Sequence, residues 1–374
     1  MATVTAERVA AVGVASLRVP LAQPIVYRDW VVRDRSYAIV AVRTSGGAVG
    51  YAYGLTRDGP VADIVRRHVA ASYIDRPLED PAGIFAVARG TFRPVLSGGI
   101  GLRALSLVDI ATWDAAARAA GRSLRDHLGG SAATLPVMGI VGYPPSLPPD
   151  GVAEQARRFA ALGVRHVKLP AVADLALNRT RMEAAAPFAE AVSLDGGWTI
   201  QTLEQGLEVA AAMPRPGWLE DPVPPERIDL MAALHREAGV TLAMGDEQGG
   251  PGFPDALLLA DAVDVVRIDA TCAGGISGLR TIVPQVLAAG KGLSFHVFAR
   301  LHAQIAAALD ASETVIEWSL PGMTVDPVTE SLPMPPMADG RMMVASDHVG
   351  LGDLWDRDWM AQQATEDPDG ILAW

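Results

Sequence analysis

The chain is poor in three things, and each absence removes a class of protein. It has a single cysteine, Cys272, among 374 residues. That excludes a framework of intramolecular disulfides and fits a reducing, cytoplasmic setting. It has no continuous apolar run of the length that spans a bilayer, so no membrane partner is expected. The opening "MATVTAERVAAVGVASLRVPL" is interrupted by Glu7 and Arg8 and makes a poor signal peptide. Positive charge is also scarce: 31 Lys and Arg face 43 Asp and Glu, for a formal net charge of -12. Such a balance disfavours a nucleic-acid partner, but a small anion can still be held in a locally positive pocket. What the chain has in quantity is apolar residues, 50 % of the total. At this length they supply the core of two domains, or of one large α/β barrel with an added lobe.

The patterning changes style near residue 133. Residues 1–133 read as α+β: "VAAVGVASLRVPL" and "YAIVAVRTSGGAVGYAYG" have strand patterns, the second folded at Ser45-Gly46-Gly47. Helical patterns follow, the longest being the alanine-rich "LRALSLVDIATWDAAARAAG". From 134 to 322, short apolar strands alternate with amphipathic segments: "LPVMGIV", "RHVKL", "AVSLD", "GWLED", "TLAMG", "VDVVRID", "LSFH" and "TVIEW". Eight strands with intervening helices predict a parallel TIM-like barrel rather than an open sheet. The tail, 323–374, is rich in Pro, Gly and Asp and too irregular to continue the alternation.

Barrels of this kind build chemistry at the carboxyl ends of their strands. Here those ends carry Lys168, Asp195, Glu220, Asp246, Asp269, His296 and Glu317. Asp195, Glu220 and Asp246 close three consecutive strands, and three carboxylates brought together call for a cation. An all-oxygen set suits a hard ion such as Mg²⁺. Asp269 and His296 close neighbouring strands; an aspartate that accepts one imidazole N–H orients the ring and leaves its other nitrogen as a base. In "LGVRHVKLP" the period of two puts His166 and Lys168 on one face, with Lys168 facing His296 across the mouth. Two bases flanking a carboxylate beside a divalent ion are what removal of an α-proton requires. Glu317, if protonated, would donate to the charge that develops.

These residues resemble the enolase superfamily and, within it, the mandelate racemase subgroup. "WLEDPVPPE" and "AMGDEQ" resemble its second and third metal-ligand motifs, "DVVRIDATCAGGISG" and "SFHVF" its Asp–His dyad, and "VIEW" its carboxylate-side glutamate. "ALSLVDIATWDAAARAAGRSLRDHLGG" resembles the end of its capping domain, and "VGLGDLWD" the segment that returns to the cap. The resemblance implies a (β/α)7β barrel with an α+β capping domain made from the N-terminal segment and the C-terminal tail. It also implies Mg²⁺, and abstraction of the proton α to a carboxylate to give a metal-stabilised enediolate. Two departures stand out. His166-Val167-Lys168 replaces the usual Lys-x-Lys, so His166 takes the place of a lysine that contacts the substrate carboxylate. In "SLDGGW" a gap-free overlay puts Ser193 at the first ligand position, whereas a shortened loop puts Asp195 there, and a carboxylate is the better Mg²⁺ ligand.

The reaction expected from the resemblance is dehydration of a sugar acid to a 2-keto-3-deoxy acid. Racemisation or epimerisation of a 2-hydroxy acid is the near alternative, and a barrel that has lost catalysis and acts as a binding or scaffold protein is the further one. Tyr27, Arg28 and Trp30, in the loop "LAQPIVYRDWVVRDR", are the expected contacts to the far end of the substrate. A homo-oligomer is expected from the architecture.

Overall fold

A computed structural model describes residues 7–27, 30–214, 216–323 and 325–374. The first three strands, β1 (Val9–Tyr27), β2 (Trp30–Thr44) and β3 (Val49–Leu55), form an antiparallel meander. The β2–β3 turn falls at Ser45-Gly46-Gly47, where Gly47 takes φ +93° at no steric cost. Against one face of this sheet lies the helix Gly99–Ala119, buried along most of its length. Gly50 lets the helix come close: a Cβ there would stand 2.1 Å from the backbone nitrogen of Ala115 and 2.2 Å from the carbonyl of Ala111.

The barrel follows as β4 (Thr134–Ile140), β5 (His166–Pro170), β6 (Ala191–Asp195), β7 (Trp218–Glu220), β8 (Thr241–Met244), β9 (Val265–Ile268), β10 (Gly292–Phe295) and β11 (Val315–Trp318). All run parallel, and β11 pairs with β4 to close the ring. A helix stands between each strand and the next, so the barrel is (β/α)7β, as the alternation predicts. These helices form because one stripe of each is apolar. Pro149–Ala160, for example, buries Val152, Ala156 and Phe159. Phe159 lies against Gly139 of β4, where a Cβ would come within 2.6 Å of its ring.

The tail takes a two-part route. β12 (Met337–Ala338) and β13 (Arg341–Met343) add antiparallel to the start of β4, at the barrel's amino end. The chain then climbs back, and β14 (Ala364–Glu366) joins the cap sheet beside β1. Asp114 on the long helix fastens this return. Its carboxylate accepts the Tyr51 N–H at 2.8 Å, the Leu351 N–H at 2.6 Å and the Arg118 Nε–H at 2.9 Å. The cap is therefore built from both ends of the chain. The long β1–β2 hairpin reaches over the barrel, where Leu21, Ile25 and Val32 pack with Tyr143 of the loop after β4.

Gly50→Ala should lower the unfolding temperature, at a cost of about 1–3 kcal/mol, because the helix must move off the sheet. Gly90→Ala, at a helical position with nothing within 4 Å of the added carbon, should instead stabilise by about 0.5–1 kcal/mol. Thermal and denaturant unfolding of the two variants checks the opposite signs.

Candidate active site

Strand register sorts the inward-facing side chains into levels. On β5, His166 and Lys168 point into the barrel about 6.6 Å apart along the strand. His166 is the nearer to the amino end. Its Nε2 lies 2.8 Å from Ser193 Oγ, and its ring stands edge-on to Trp218 at 4.5 Å. Burial, and then the positive charges of Lys168 and Arg267, push its pKa down to about 4, so the ring is neutral. Ser193 Oγ also accepts the Trp218 N–H at 2.9 Å. His166 and Ser193 thus hydrogen-bond within the barrel interior.

Lys168 occupies the next level. Its Nζ donates to Glu220 Oε1 at 2.5 Å and to Glu317 Oε1. Arg267, fully buried in the middle of β9, lies beside it. Arg267 donates through Nε to Asp246 Oδ1 at 2.8 Å, through one terminal nitrogen to Glu317 Oε1 at 2.7 Å, and through the other to Ser294 Oγ at 2.7 Å. Burial alone would lower the lysine's pKa, but Glu220 and then Glu317 outweigh it and raise it. Burial pushes Glu220 the opposite way, up to about 8, against the pull of Arg267 and Lys168. With Arg267 also 3.2 Å from Glu220 Oε1, two cations meet one oxygen, and the ion pair is the state that satisfies all three groups. For Glu317 burial acts upward, yet Arg267 and then Lys168 hold it well below the usual carboxylate range. Glu317 Oε2 accepts the Val297 N–H at 2.9 Å. In this arrangement Lys168 is paired with Glu220 and Glu317, and Glu317 accepts from Lys168, Arg267 and the Val297 N–H.

At the mouth, Asp195, Glu220 and Asp246 each bring one carboxylate oxygen within 4.8 Å of the others. Asp195 closes β6 in register with Glu220 and with Pro170, which closes β5. Its Oδ1 accepts the Gly197 N–H at 3.0 Å. Glu220 Oε2 accepts Trp218 Nε1–H at 2.9 Å. Asp221 turns away at φ +39° and accepts the N–H groups of Gly245 (2.9 Å) and Asp246 (3.1 Å), fixing the start of the loop that carries Asp246. The donor set is all oxygen, converges from three adjacent strands and fits a divalent hard cation.

Across the ring, His296 Nδ1 lies 3.5 Å from Asp269 Oδ2, and its Nε2 faces Asp246 Oδ2 at 3.8 Å. Asp269 Oδ1 is held by the N–H (2.8 Å) and Oγ1–H (2.7 Å) of Thr271. Burial would lower the His296 pKa; Asp246 first, and then the bond to Asp269, push it up to about 9. For Asp269 the burial penalty is outweighed by the His296 hydrogen bond and the Arg103 charge, which hold it well below the usual range. His302 sits behind, with Nδ1 donating to the Val297 carbonyl at 2.8 Å and Nε2 accepting the Ala270 N–H at 3.1 Å. Burial pushes it down to about 4, so it is neutral with a fixed tautomer.

The cap reaches this site through Glu247, the neighbour of Asp246. Arg57, from the loop after β3, bonds it, and Arg103, on the long helix, donates to it at 2.8 Å. Burial acts upward on Glu247, but Arg57 and then Arg103 bring it down to about 2. Arg57, Arg103, Asp221, Arg267 and His302 escaped the sequence reading, which weighed the strand ends, the His166–Lys168 strand and the loop at Tyr27, Arg28 and Trp30. The signal for Arg267 is present in "VDVVRID": a charged residue inside an apolar strand, two positions before Asp269 and on the same face. Arg28 lies outside the described residues, as do the side chains of Tyr27 and Trp30, whose backbones pair where β1 meets β2.

Comparison with known proteins follows the same lines. The Enolase C-terminal domain-like family profile matches residues 151–359, and that of the Mandelate racemase / muconate lactonizing enzyme N-terminal domain matches 9–129. D-galactarolactone cycloisomerase of Agrobacterium fabrum is 28 % identical over 79 % of this chain and 77 % of its own. L-talarate/galactarate dehydratase of Salmonella typhimurium is 24 % identical over 93 % and 89 %. The fold is shared with an enolase from Bradyrhizobium solved with magnesium and mandelic acid, at TM-score 0.83 and 22 % identity over 97 % of this chain and 100 % of that one. The chain belongs to the mandelate racemase / muconate lactonizing enzyme family of the enolase superfamily.

Proposed function

We propose that the protein is a Mg²⁺-dependent lyase that removes the proton α to a carboxylate and then expels a β-hydroxyl, the dehydration carried out by acid-sugar dehydratases. Asp195, Glu220 and Asp246 are the proposed metal ligands, and a bound Mg²⁺ would supply positive charge where the substrate carboxylate gains electron density. His296 is the proposed base. Its Nε2 takes the α-proton while Asp269 holds Nδ1–H and stabilises the imidazolium. Asp246 is the charge that raises His296 most. Neutralising Asp246 at the metal site therefore leaves Asp269 to set the basicity, bringing His296 toward neutral pH. The imidazolium then returns its proton to the departing hydroxyl, water leaves, and the enol tautomerises to a 2-keto-3-deoxy acid. Lys168, Arg267 and Glu317 act below as a fixed charge array.

One observation carries the choice of lyase over racemase. A racemase needs a second base on the opposite face of the α-carbon, and the residue expected there, Lys168, is spent on Glu220 and Glu317. The strand ends two residues later at Pro170, which offers no titratable group. A ring oxygen leaving in place of a hydroxyl would make the same one-base step a cycloisomerisation, distinguished by the absence of released water.

Incubation with Mg²⁺ and 2,3-dihydroxy acids in D₂O should yield a keto acid labelled at C3, with recovered substrate unepimerised at C2. His296→Asn should lower kcat by roughly 10²–10⁴-fold. Appearance of the C2 epimer would favour the racemase, and failure of every acid to exchange or turn over would favour a scaffold. The ligand set is tested separately by calorimetric Mg²⁺ titration: Asp195→Asn should weaken binding by roughly 100-fold or more, whereas Ser193→Ala should change it little. The reverse order would assign the ligand position to Ser193.

A further inference from the structure

Trp218 opens β7 with its side chain on the same face as Glu220, two residues on. It therefore enters the barrel one level below the proposed metal ligands. The indole is 6 % exposed and packs in the interior with Met138 of β4 and Ala243 of β8, against Val265 and Val315. His166 stands edge-on to the ring at 4.5 Å. Ser193 Oγ accepts the backbone N–H of Trp218 rather than that of its ring. A buried indole N–H calls for an acceptor. Here Nε1 donates upward, to Glu220 Oε2 at 2.9 Å, so a proposed metal ligand is the partner.

The last torsion of a glutamate is intrinsically broad, so outside donors set the plane of its carboxylate. Each carboxylate oxygen offers about two lone-pair sites. Oε1 of Glu220 receives Lys168 Nζ at 2.5 Å and faces an Arg267 nitrogen at 3.2 Å, so two cations already meet it. Oε2 receives Trp218 Nε1–H alone among the described residues, which leaves one lone pair open. The donors stand on β5, β7 and β9 and hold the carboxylate from three directions. We infer that Trp218 is a positioning residue for the cation site: its Nε1–H fixes the Glu220 plane and presents the free lone pair of Oε2 to the ion. This rests on the metal ligands proposed above and adds the ligating oxygen and the group that aims it. His166 gains a role in the same arrangement. It walls in the indole from β5 and, as a neutral ring, adds no third cation beside Lys168 and Arg267.

Mg²⁺ affinity and the indole proton provide the test, independent of turnover. Trp218→Phe keeps an aromatic ring and deletes the N–H. Calorimetric titration should show it binding Mg²⁺ roughly 10–100-fold more weakly than the unaltered protein. Trp113→Phe is the comparison: that indole is 5 % exposed and donates to Ser277 Oγ at 2.9 Å, between the long helix and the helix after β9. Its loss should leave Mg²⁺ affinity unchanged. The eight tryptophans give eight indole proton resonances, and the one absent from Trp218→Phe belongs to Trp218. Mn²⁺ identifies it independently, since its paramagnetism broadens the nearest indole first. A cation on Oε2 draws charge from the hydrogen bond, so this resonance should move upfield with Mg²⁺, and by more than the other seven. Undiminished affinity in Trp218→Phe, equal weakening in both variants, or a resonance that Mg²⁺ leaves in place would overturn the inference. Absence of Mg²⁺ binding by the unaltered protein would instead overturn the ligand assignment on which it rests.

Discussion

The arrangement depends on one buried contact: Glu317 Oε1 accepting from Lys168 and Arg267 together. Around it, the carboxylates of Asp195, Glu220, Asp246 and Glu317 gather beside the two fixed cations, with His296 Nε2 3.8 Å from Asp246 Oδ2. Glu220, Asp246 and Glu317 are each paired with a buried cation from another strand, whereas Asp195 accepts the Gly197 N–H of its own loop. Removing one member of such a pair strands the other in low dielectric, at a cost of about 3–5 kcal/mol. The barrel interior is thus held by charge as well as by packing, and the metal site is the place where that charge is left incomplete.

The cap takes part in the same network. Arg57 and Arg103 converge on Glu247, whose backbone is continuous with Asp246, and Arg103 also lies 3.4 Å from Thr271 Oγ1, which in turn binds Asp269. Docking of the cap and orientation of a proposed metal ligand and of the dyad are therefore mechanically linked. Asp221 performs the equivalent task from within the barrel by holding the Asp246 N–H. These residues touch no reacting atom in the proposed chemistry. They fix the groups that do, and a displacement of a fraction of an ångström in such positions is enough to slow a reaction.

The fold and the location of the site were legible because both follow from local rules. Strand-and-helix alternation fixes a barrel, and a period of two tells which side of each strand enters it, so Asp195, Glu220, Asp246, Asp269 and His296 could be placed at one mouth from the sequence. What could not be read is ionisation. Glu317 looked like a candidate donor because its partners, Lys168 and Arg267, come from strands 149 and 50 residues away. His166 looked like a substitute for a carboxylate-binding lysine, yet its environment is set by Ser193 and Trp218 on the two following strands. One cue was available: the chain has only two lysines, Lys168 and Lys291, and a lone lysine inside an apolar strand needs countercharges wherever it lies.

Read around the ring, the charges are distributed unevenly, and that unevenness bears on mechanism. β5 contributes Lys168 below the mouth, and β5 and β6 end in Pro170 and Asp195 beside an apolar cavity, whereas β7 to β11 contribute Glu220, Asp246, Arg267, Asp269, His296 and Glu317. An acid whose carboxylate lies at the boundary meets a base on one side and apolar walls on the other. In the proposed chemistry its α-carbon presents one face to His296, and toward the cavity the titratable group among the described lining residues is Asp195, itself a proposed metal ligand. Proton removal and return then share a single imidazole, which favours loss of a leaving group on that face over inversion of the centre. In the proposed chemistry, the pairing of Lys168 with Glu220 and Glu317 and the use of a single base go together.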